Sequence, residues 1–292
     1  MAAGFLYQPN EVEEVLECPW CASLDWVPWC EKYDNFLPVK CNKCGVVFLK
    51  NRLNEKGRNR FYKDYVKLHE TPERLAPRLI MYGQEFKVIS NIVERGDILD
   101  IGCGSGRFLN LFPADRYNRF GLEYGKEAAL IARKTIGEEF IFEGGLLEAA
   151  FPENKFDLII FRGVIEHLPN PKKILEKACM LVKKKGCLFI TSMPNLDCIC
   201  ASIYKSKWTQ HREFEHIVHF GKNHFREFFK EKGFSEMLDQ ELYWQTPYAN
   251  PEEDILEVAG AIRMKRDGNK HIKKTSPAFW GNILSTVFRK DI

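Results

Sequence analysis

The sequence lacks any apolar run of ~18 residues or more, which excludes a membrane-spanning helix of ordinary length. It also lacks a charge imbalance. Lys and Arg total 43 against 40 Asp and Glu, a net charge of +3, so no global field draws the chain to nucleic acid, although a local basic patch stays open. Met1 to Leu6 carry no basic segment leading into a long apolar stretch, so no secretory signal is read and the cytoplasm is the expected compartment. Cysteine is sparse: ten in 292 residues is far below the density of a disulfide scaffold. There is no internal repeat and no low-complexity tract. A hydrophobic fraction of 45% with 28% charged residues excludes a disordered or collagen-like chain and describes a globular protein.

What is present divides unevenly along the chain. Residues 1–50 hold two C-x-x-C pairs and Trp20, Trp26 and Trp29 with little helical periodicity, and read as a small module. Residues 51–74 are a basic connecting and cofactor-capping segment, and 75–292 form the main domain. In that domain, Leu75, Leu79, Phe86, Ile89 and Val93 recur at helical spacing from Pro72 to Glu94. Short apolar strands then alternate with helices. The strands are Asp97 to Ile101, Arg119 to Glu123, Glu139 to Glu143, Phe156 to Phe161 and Gly186 to Thr191, and the helices are Arg107 to Phe112, Lys126 to Lys134 and Pro171 to Val182. This alternation predicts an α/β fold, a parallel sheet covered on both faces. Toward the end, a helix is expected from Asn223, as N-cap, to Lys232, with strands from Phe234 to Trp244 and Gly281 to Lys290.

The chemistry concentrates in Asp100-Ile101-Gly102-Cys103-Gly104-Ser105-Gly106, between the first strand and its helix. Glycines there let the backbone turn tightly and approach a ligand closely. A pyrophosphate loop reads G-x-G-x-x-G, whereas this one reads G-x-G-x-G with Asp100 ahead of it. That carboxylate repels a pyrophosphate and suits an ammonium or sulfonium. Glu123 ends the second strand, where a carboxylate can accept both hydroxyls of an adenosine ribose.

Those segments, ILDIGCGSG, GLEYG, FDLIIFRGVIEHLPNP and GCLFITSMPN, resemble class I S-adenosylmethionine-dependent methyltransferases in order and spacing over roughly residues 75–240. The resemblance implies a Rossmann-like, doubly wound sheet of seven strands with the last antiparallel, for which Asn282 to Arg289 is the candidate. It implies that Asp100, Gly102, Cys103, Gly104 and Gly106 line the methionine part of the cofactor and that Glu123 holds the ribose. Tyr124 would flank the adenine, Leu146 or Leu147 would cover its other face, and Phe161, Arg162 and Gly163 would lie beneath the sulfonium. Tyr62 and Tyr65 precede the core where this family often caps the cofactor.

Methyl transfer to a hydroxyl calls for in-line alignment and a proton acceptor. His167, at the carboxyl edge of the sheet, and His216 and His219, in the segment EFEHIVHF, are the candidate bases. Four histidines, His211, His216, His219 and His224, crowd into 14 residues without a recognisable metal-ligand spacing. The N-terminal pairs, Cys18 with Cys21 and Cys41 with Cys44, have the spacing of two knuckles of a closed four-thiolate site, with Zn2+ as the expected structural ion.

The sequence thus points to a methyltransferase acting on a small-molecule hydroxyl, and the C-terminal segments resemble enzymes found with sugar and surface-polysaccharide biosynthesis. Three alternatives stay open: methylation of a modified nucleobase in RNA with the ribbon as grip, a non-catalytic cofactor-binding module, and a lipid-linked acceptor approached through Ala278 to Leu284. The oligomeric state is not read.

Overall fold

The computed structural model describes residues 5–32, 36–63, 70–212, 214–268 and 272–291. Tyr65 lies outside them. The chain opens with five short strands, β1 (Val12–Glu14), β2 (Trp26–Pro28), β3 (Pro38–Cys41), β4 (Val47–Leu49) and β5 (Asn51–Leu53). β1 pairs antiparallel with β5, so the chain crosses back over its own start before entering α1 (Glu55–Lys63) and α2 (Pro72–Ser90).

The main domain then runs β6 (Gly96–Ile101), β7 (Tyr117–Glu123), α3 (Lys126–Ile136), β8 (Ile141–Glu143), β9 (Phe156–Arg162), α4 (Pro171–Leu181), β10 (Val182–Pro194) and α5 (Ile199–Tyr204). It ends with β11 (Val218–His219), α6 (Lys222–Glu231), β12 (Phe234–Gln240), α7 (Pro251–Arg266) and β13 (Ile283–Lys290). Seven of these strands form one sheet in the order β12-β13-β10-β9-β6-β7-β8. β13 runs antiparallel to both neighbours, with Leu188 opposite Phe288 and Ser235 opposite Arg289. The fold is therefore the Rossmann-like α/β sheet with its last strand reversed. The central strands are buried on both faces and read as continuous apolar runs, Leu158 to Phe161 and Leu188 to Ile190 being almost wholly enclosed.

Four local expectations need correction. Arg107 to Phe112 is not a full helix but a single 3-10 turn at Leu109–Leu111, because Pro113 forces Phe112 into an extended conformation. The buried stripe of α2 is Met81, Glu85 and Ile89, while Leu79 is half-exposed. The N-cap of α6 is Gly221, not Asn223: its N–H donates to His224 Nδ1 at 3.0 Å. Finally, α7 was not anticipated, since its apolar residues are spread around the helix and only Val258 and Ala261 are buried among them.

The N-terminal strands do not stand apart. β11, from the main domain, adds to β4 antiparallel and completes a four-stranded sheet ordered β11-β4-β3-β2. Val39, Phe48 and Leu49 join the same apolar cluster as Leu99, Phe161 and Leu188. Trp20 seats against Phe220 and Phe228, with ring centroids 5.1 and 5.4 Å away. The first fifty residues are thereby fixed to the carboxyl-edge side of the sheet.

Candidate active site and cysteine cluster

The glycine loop leaves β6 with Gly102, Gly104 and Gly106 all at positive φ, at 71°, 57° and 78°. The need for glycine differs at each. A Cβ on Gly102 would lie 2.7 Å from Val164, and one on Gly106 would lie 3.3 Å from the backbone of α3 at Ala132. Around Gly104 nothing stands within 4 Å, so here the bare backbone faces open space. Leu122 accepts hydrogen bonds from the amides of both Gly102 and Cys103, at 2.8 and 3.0 Å, which pins the loop to the end of β7. At its far end Glu70 accepts from Ser105 Oγ and Arg107 Nε, each at 2.7 Å. Cys103 is buried in the core, consistent with a small packing residue.

Asp100 is enclosed, and among the described residues its Oδ1 has no hydrogen-bond partner. Burial pushes its carboxyl up to about 8, with Arg162 pulling the other way and Glu123 and Glu85 adding to the rise. Glu123 reaches back from the end of β7 and accepts from the amides of Gly104, at 2.8 Å, and Gly125, at 2.7 Å. Burial raises its pKa and these amides oppose the rise. Each carboxylate oxygen keeps acceptor capacity beyond its one amide. An unsatisfied buried carboxylate, an open glycine cradle and a second carboxylate at the next strand end form a site suited to a cationic adenosine ligand.

The other positions predicted to line this site fall into two groups. Tyr124 is 49% exposed and Leu147 41% exposed beside the Glu123 turn, whereas Leu146 and Phe161 are buried in the core. Gly163 has φ 59° at the end of β9, next to the glycine loop. Arg162 is engaged from below: its Nε donates to Glu85 at 2.5 Å and its guanidinium lies 4.2 Å from the Tyr82 ring centroid. Burial works against the guanidinium charge, and Glu85 more than offsets it, so the Arg162 pKa rises. Glu85 also accepts from Thr191 Oγ1 at 2.9 Å and Ser192 Oγ at 2.6 Å, using a bulge in β10 between Thr191 and Met193. Sequence reasoning missed Glu85 and Glu70. For Glu85 a signal exists: an acid in the buried stripe of a helix needs buried partners.

A 3-10 turn, Ile165–His167, follows β9 and carries Glu166 and His167 to the carboxyl edge. Glu166 Oε1 lies 3.7 Å from the position of a Cβ on Gly163, and Val164, just before the turn, lies 2.7 Å from a Cβ position on Gly102, so the turn adjoins the glycine loop. His167 Nδ1 is 3.1 Å from Tyr62 Oη, and the Tyr62 carbonyl lies 4.0 Å from a Cβ position on Gly125. Tyr62 thus spans from the Glu123 turn to the histidines. His216 is brought alongside, its ring centroid 5.0 Å from that of His167, and its Nδ1–H donates to the Gln210 carbonyl at 2.5 Å. Burial holds His167 down to about 4, against a rise from the Glu215 carboxylate, and holds His216 well below its ordinary value. Both shifts favour the neutral imidazole. His219 is one step further in, paired through Nε2 with His211 Nδ1 at 2.8 Å. His224 departs from the group and donates from Nε2 to the Cys44 carbonyl at 2.8 Å.

The four N-terminal cysteines converge as their spacing predicts. Cys18 and Cys44 sulfurs are 3.6 Å apart, Cys21 and Cys41 sulfurs 3.5 Å, and all four lie within 4.8 Å of one another. These separations are too long for disulfides and match the about 3.8 Å edges of a tetrahedron of thiolates around one ion. Gly45, at φ 82°, donates its amide to the Cys41 carbonyl at 2.9 Å and closes the second knuckle.

Sheet order, reversed last strand and the glycine loop after the first central strand are the arrangement of a class I methyltransferase domain. A sequence family described as a methyltransferase domain matches residues 68–238, more than half of the chain, and the chain belongs to it. S-adenosylmethionine is the cofactor of that family. An uncharacterized protein of Methanocaldococcus jannaschii is 28% identical over 155 residues, 53% of this chain and 72% of that protein. The ubiquinone biosynthesis O-methyltransferase of Photobacterium profundum is 26% identical over 101 residues, and the match spans 33% of this chain and under half, 43%, of that enzyme. A S-adenosylmethionine-dependent methyltransferase of Thermotoga maritima shares the fold with a TM-score of 0.53 at 19% identity, over 80% of this chain and 97% of that one. Among the described residues no helix is long and apolar enough to cross a membrane.

Proposed function

We propose that the protein transfers the methyl group of S-adenosylmethionine to a hydroxyl of a small molecule, a sugar or glycan precursor, and that Zn2+ on Cys18, Cys21, Cys41 and Cys44 has a structural role. The observation that carries the reading is the pair of adjoining imidazoles, His167 and His216, held beside Glu166 next to the glycine loop. S-adenosylmethionine, when bound, supplies a methyl on a sulfonium leaving group. The glycine loop would admit it closely, Asp100 would give up its proton and offer negative charge to the cationic end, and Glu123 would offer acceptors to the ribose hydroxyls. The floor from Phe161 to Gly163 is stiffened by the Arg162–Glu85 pair, which keeps the acceptor side aligned.

A hydroxyl nucleophile gains from losing its proton, and a neutral buried imidazole can receive it. An amine acceptor would have less need of such a group. The O-methyltransferase of Photobacterium profundum to which the chain is similar agrees with this reading. The sugar class rests on the resemblance of the C-terminal segments. Against the RNA alternative, the ribbon strands are pinned to the main domain by β11 and Trp20, which leaves them as a wall near the histidines instead of a free grip.

The test is a transfer assay with methyl-labelled S-adenosylmethionine against nucleotide sugars, glycan precursors, phenols and bulk RNA. Label in a sugar hydroxyl, lost in His167→Ala, is the expected result. Label in RNA with salt-dependent retention would overturn the small-molecule reading, and label on nitrogen would overturn the hydroxyl assignment.

A further inference from the structure

Glu166, His167 and His216 each offer one ligand atom, and these atoms lie within 4.8 Å of one another, some way from the thiolate cluster. We propose that these three side chains form a second metal site, for a borderline divalent transition ion such as Zn2+ or Fe2+, beside the cofactor cradle. Its existence is independent of the methyl-transfer reading, while its role there rests on that reading.

Three observations converge on it. First, the donor set is two imidazoles and one carboxylate, which suits zinc or iron better than magnesium or calcium and, with only three protein ligands, leaves positions open. Second, Glu166 is 2% exposed, its Oε1 lies 3.9 Å from His167 Nε2, and, among the described residues, its Oε2 has no hydrogen-bond partner. A carboxylate oxygen is rarely left buried and unpaired, and a cation satisfies it. Third, the far nitrogens of both histidines are already engaged. His216 Nδ1–H donates to the Gln210 carbonyl, and His167 Nδ1 stands at 3.1 Å from Tyr62 Oη. That is how metal-bound imidazoles are oriented: the outer nitrogen donates to an oxygen, which leaves the lone pair on Nε2 for the ion. The tautomer that an ion selects at His167 has Nδ1–H donating to the Tyr62 oxygen.

The surroundings allow the charge. Arg212 and Arg162 are cations that act on Glu166; the Arg212 guanidinium is turned toward Glu215 Oε2 at 3.3 Å, and Arg162 is paired with Glu85 at 2.5 Å. His216 is buried and the His167 side chain remains 17% exposed, so access is from the His167 side. An ion at this place would bind an acceptor oxygen and lower the pKa of its hydroxyl, whose proton would pass to water on the exposed His167 side, and the imidazoles would then serve as ligands and not as proton acceptors.

The decisive experiment uses the full chain with its thiolate site filled by zinc, titrated with Co2+ and read by elemental analysis and visible absorption. Expected is a second equivalent of metal whose spectrum lacks thiolate-to-cobalt charge transfer. Glu166→Gln and His216→Ala should each lose that equivalent and keep the first, and Tyr62→Phe should weaken it about tenfold or more. S-adenosylhomocysteine binding by each variant reports that the fold survives, and if His216→Ala does not fold, Glu166→Gln carries the test. A chain that holds one ion in hundredfold excess Co2+, Zn2+ and Mn2+, or a second ion untouched by both substitutions, overturns the proposal. The first result alongside intact S-adenosylhomocysteine binding would leave the methyltransferase reading standing. A second ion in a chain that binds no S-adenosylhomocysteine would do the reverse.

Discussion

Replacing Glu123 with Ala isolates the ribose assignment. Its two carboxylate oxygens hold the amides of Gly104 and Gly125 at 2.8 and 2.7 Å, and each retains acceptor capacity for a ribose hydroxyl. A hydrogen bond to a charged group contributes about 1.5–3 kcal/mol, so losing two such bonds to ligand removes about 3 kcal/mol or more. At about 1.4 kcal/mol per factor of ten, S-adenosylhomocysteine should bind Glu123→Ala at least roughly a hundredfold more weakly. The ligand-free protein should also lose a few degrees of Tm, because two amides of the loop lose their acceptor. Glu123→Gln keeps one carbonyl acceptor and should fall between the two. Calorimetric titration measures the affinity and a thermal melt measures the loop. A 2′-deoxy analogue separates the causes: wild-type protein should bind it more weakly, and Glu123→Ala should be indifferent to the missing hydroxyl. Unchanged affinity in a folded Glu123→Ala protein, or equal discrimination against the deoxy analogue in both proteins, would refute the assignment.

Gly104→Val should fold with a modest penalty from its positive φ, about 1–2 kcal/mol, yet bind no S-adenosylhomocysteine, because its side chain would enter the open space above the loop; ordinary binding by calorimetry would show that the cradle faces elsewhere. Asp100 is raised by burial from its ordinary value of 3.8 to about 8, so its contribution to stability is present at low pH and is lost as pH rises through about 8. Asp100→Asn should flatten that loss between about pH 4 and 8 in denaturant melts, and wild-type binding of the ligand's ammonium group should release a proton below pH 8 in calorimetry across buffers. On the proposed four-thiolate site, Cys18→Ser should lower the metal content by one equivalent and the Tm with it, since only three of the four converging sulfurs would remain; elemental analysis that shows no loss would end the four-thiolate reading. Trp20→Ala should lower unfolding free energy by about 3 kcal/mol through lost packing on Phe220 and Phe228, and a chemical denaturation curve without that shift would mean that the ribbon docks by other contacts.

The placing of the glycine loop beside Glu123 was legible because it is local. Asp100 through Gly106 is a single strand-to-helix turn, and Glu123 ends the adjacent strand, so chain order alone puts them at one edge of a parallel sheet. The cysteine knuckles were legible for the same reason: each pair needs only one tight turn. Candidate bases were legible as residue types, not as a constellation. His167 meets Tyr62 across 105 residues of chain, and His216 arrives because β11 pairs with a strand from the first fifty residues. Glu85 looked like one charge on a helix until Arg162, Thr191 and Ser192 closed on it from two strands.

The alternation of strands and helices, the glycine loop and the four-sulfur cluster could be read from the chain alone, because periodicity and short-range turn chemistry dictate them, whereas the reversed last strand was implied by the family resemblance. Only the tertiary structure decided that the N-terminal strands are fastened into the main domain's core. It alone separated His224, which braces a knuckle, from His167 and His216, which gather with Glu166 beside the cofactor cradle. Periodicity states which face of an element is buried, but not which distant element buries it. That choice is made by shape and polar satisfaction across the whole fold, where no short stretch of sequence carries the signal.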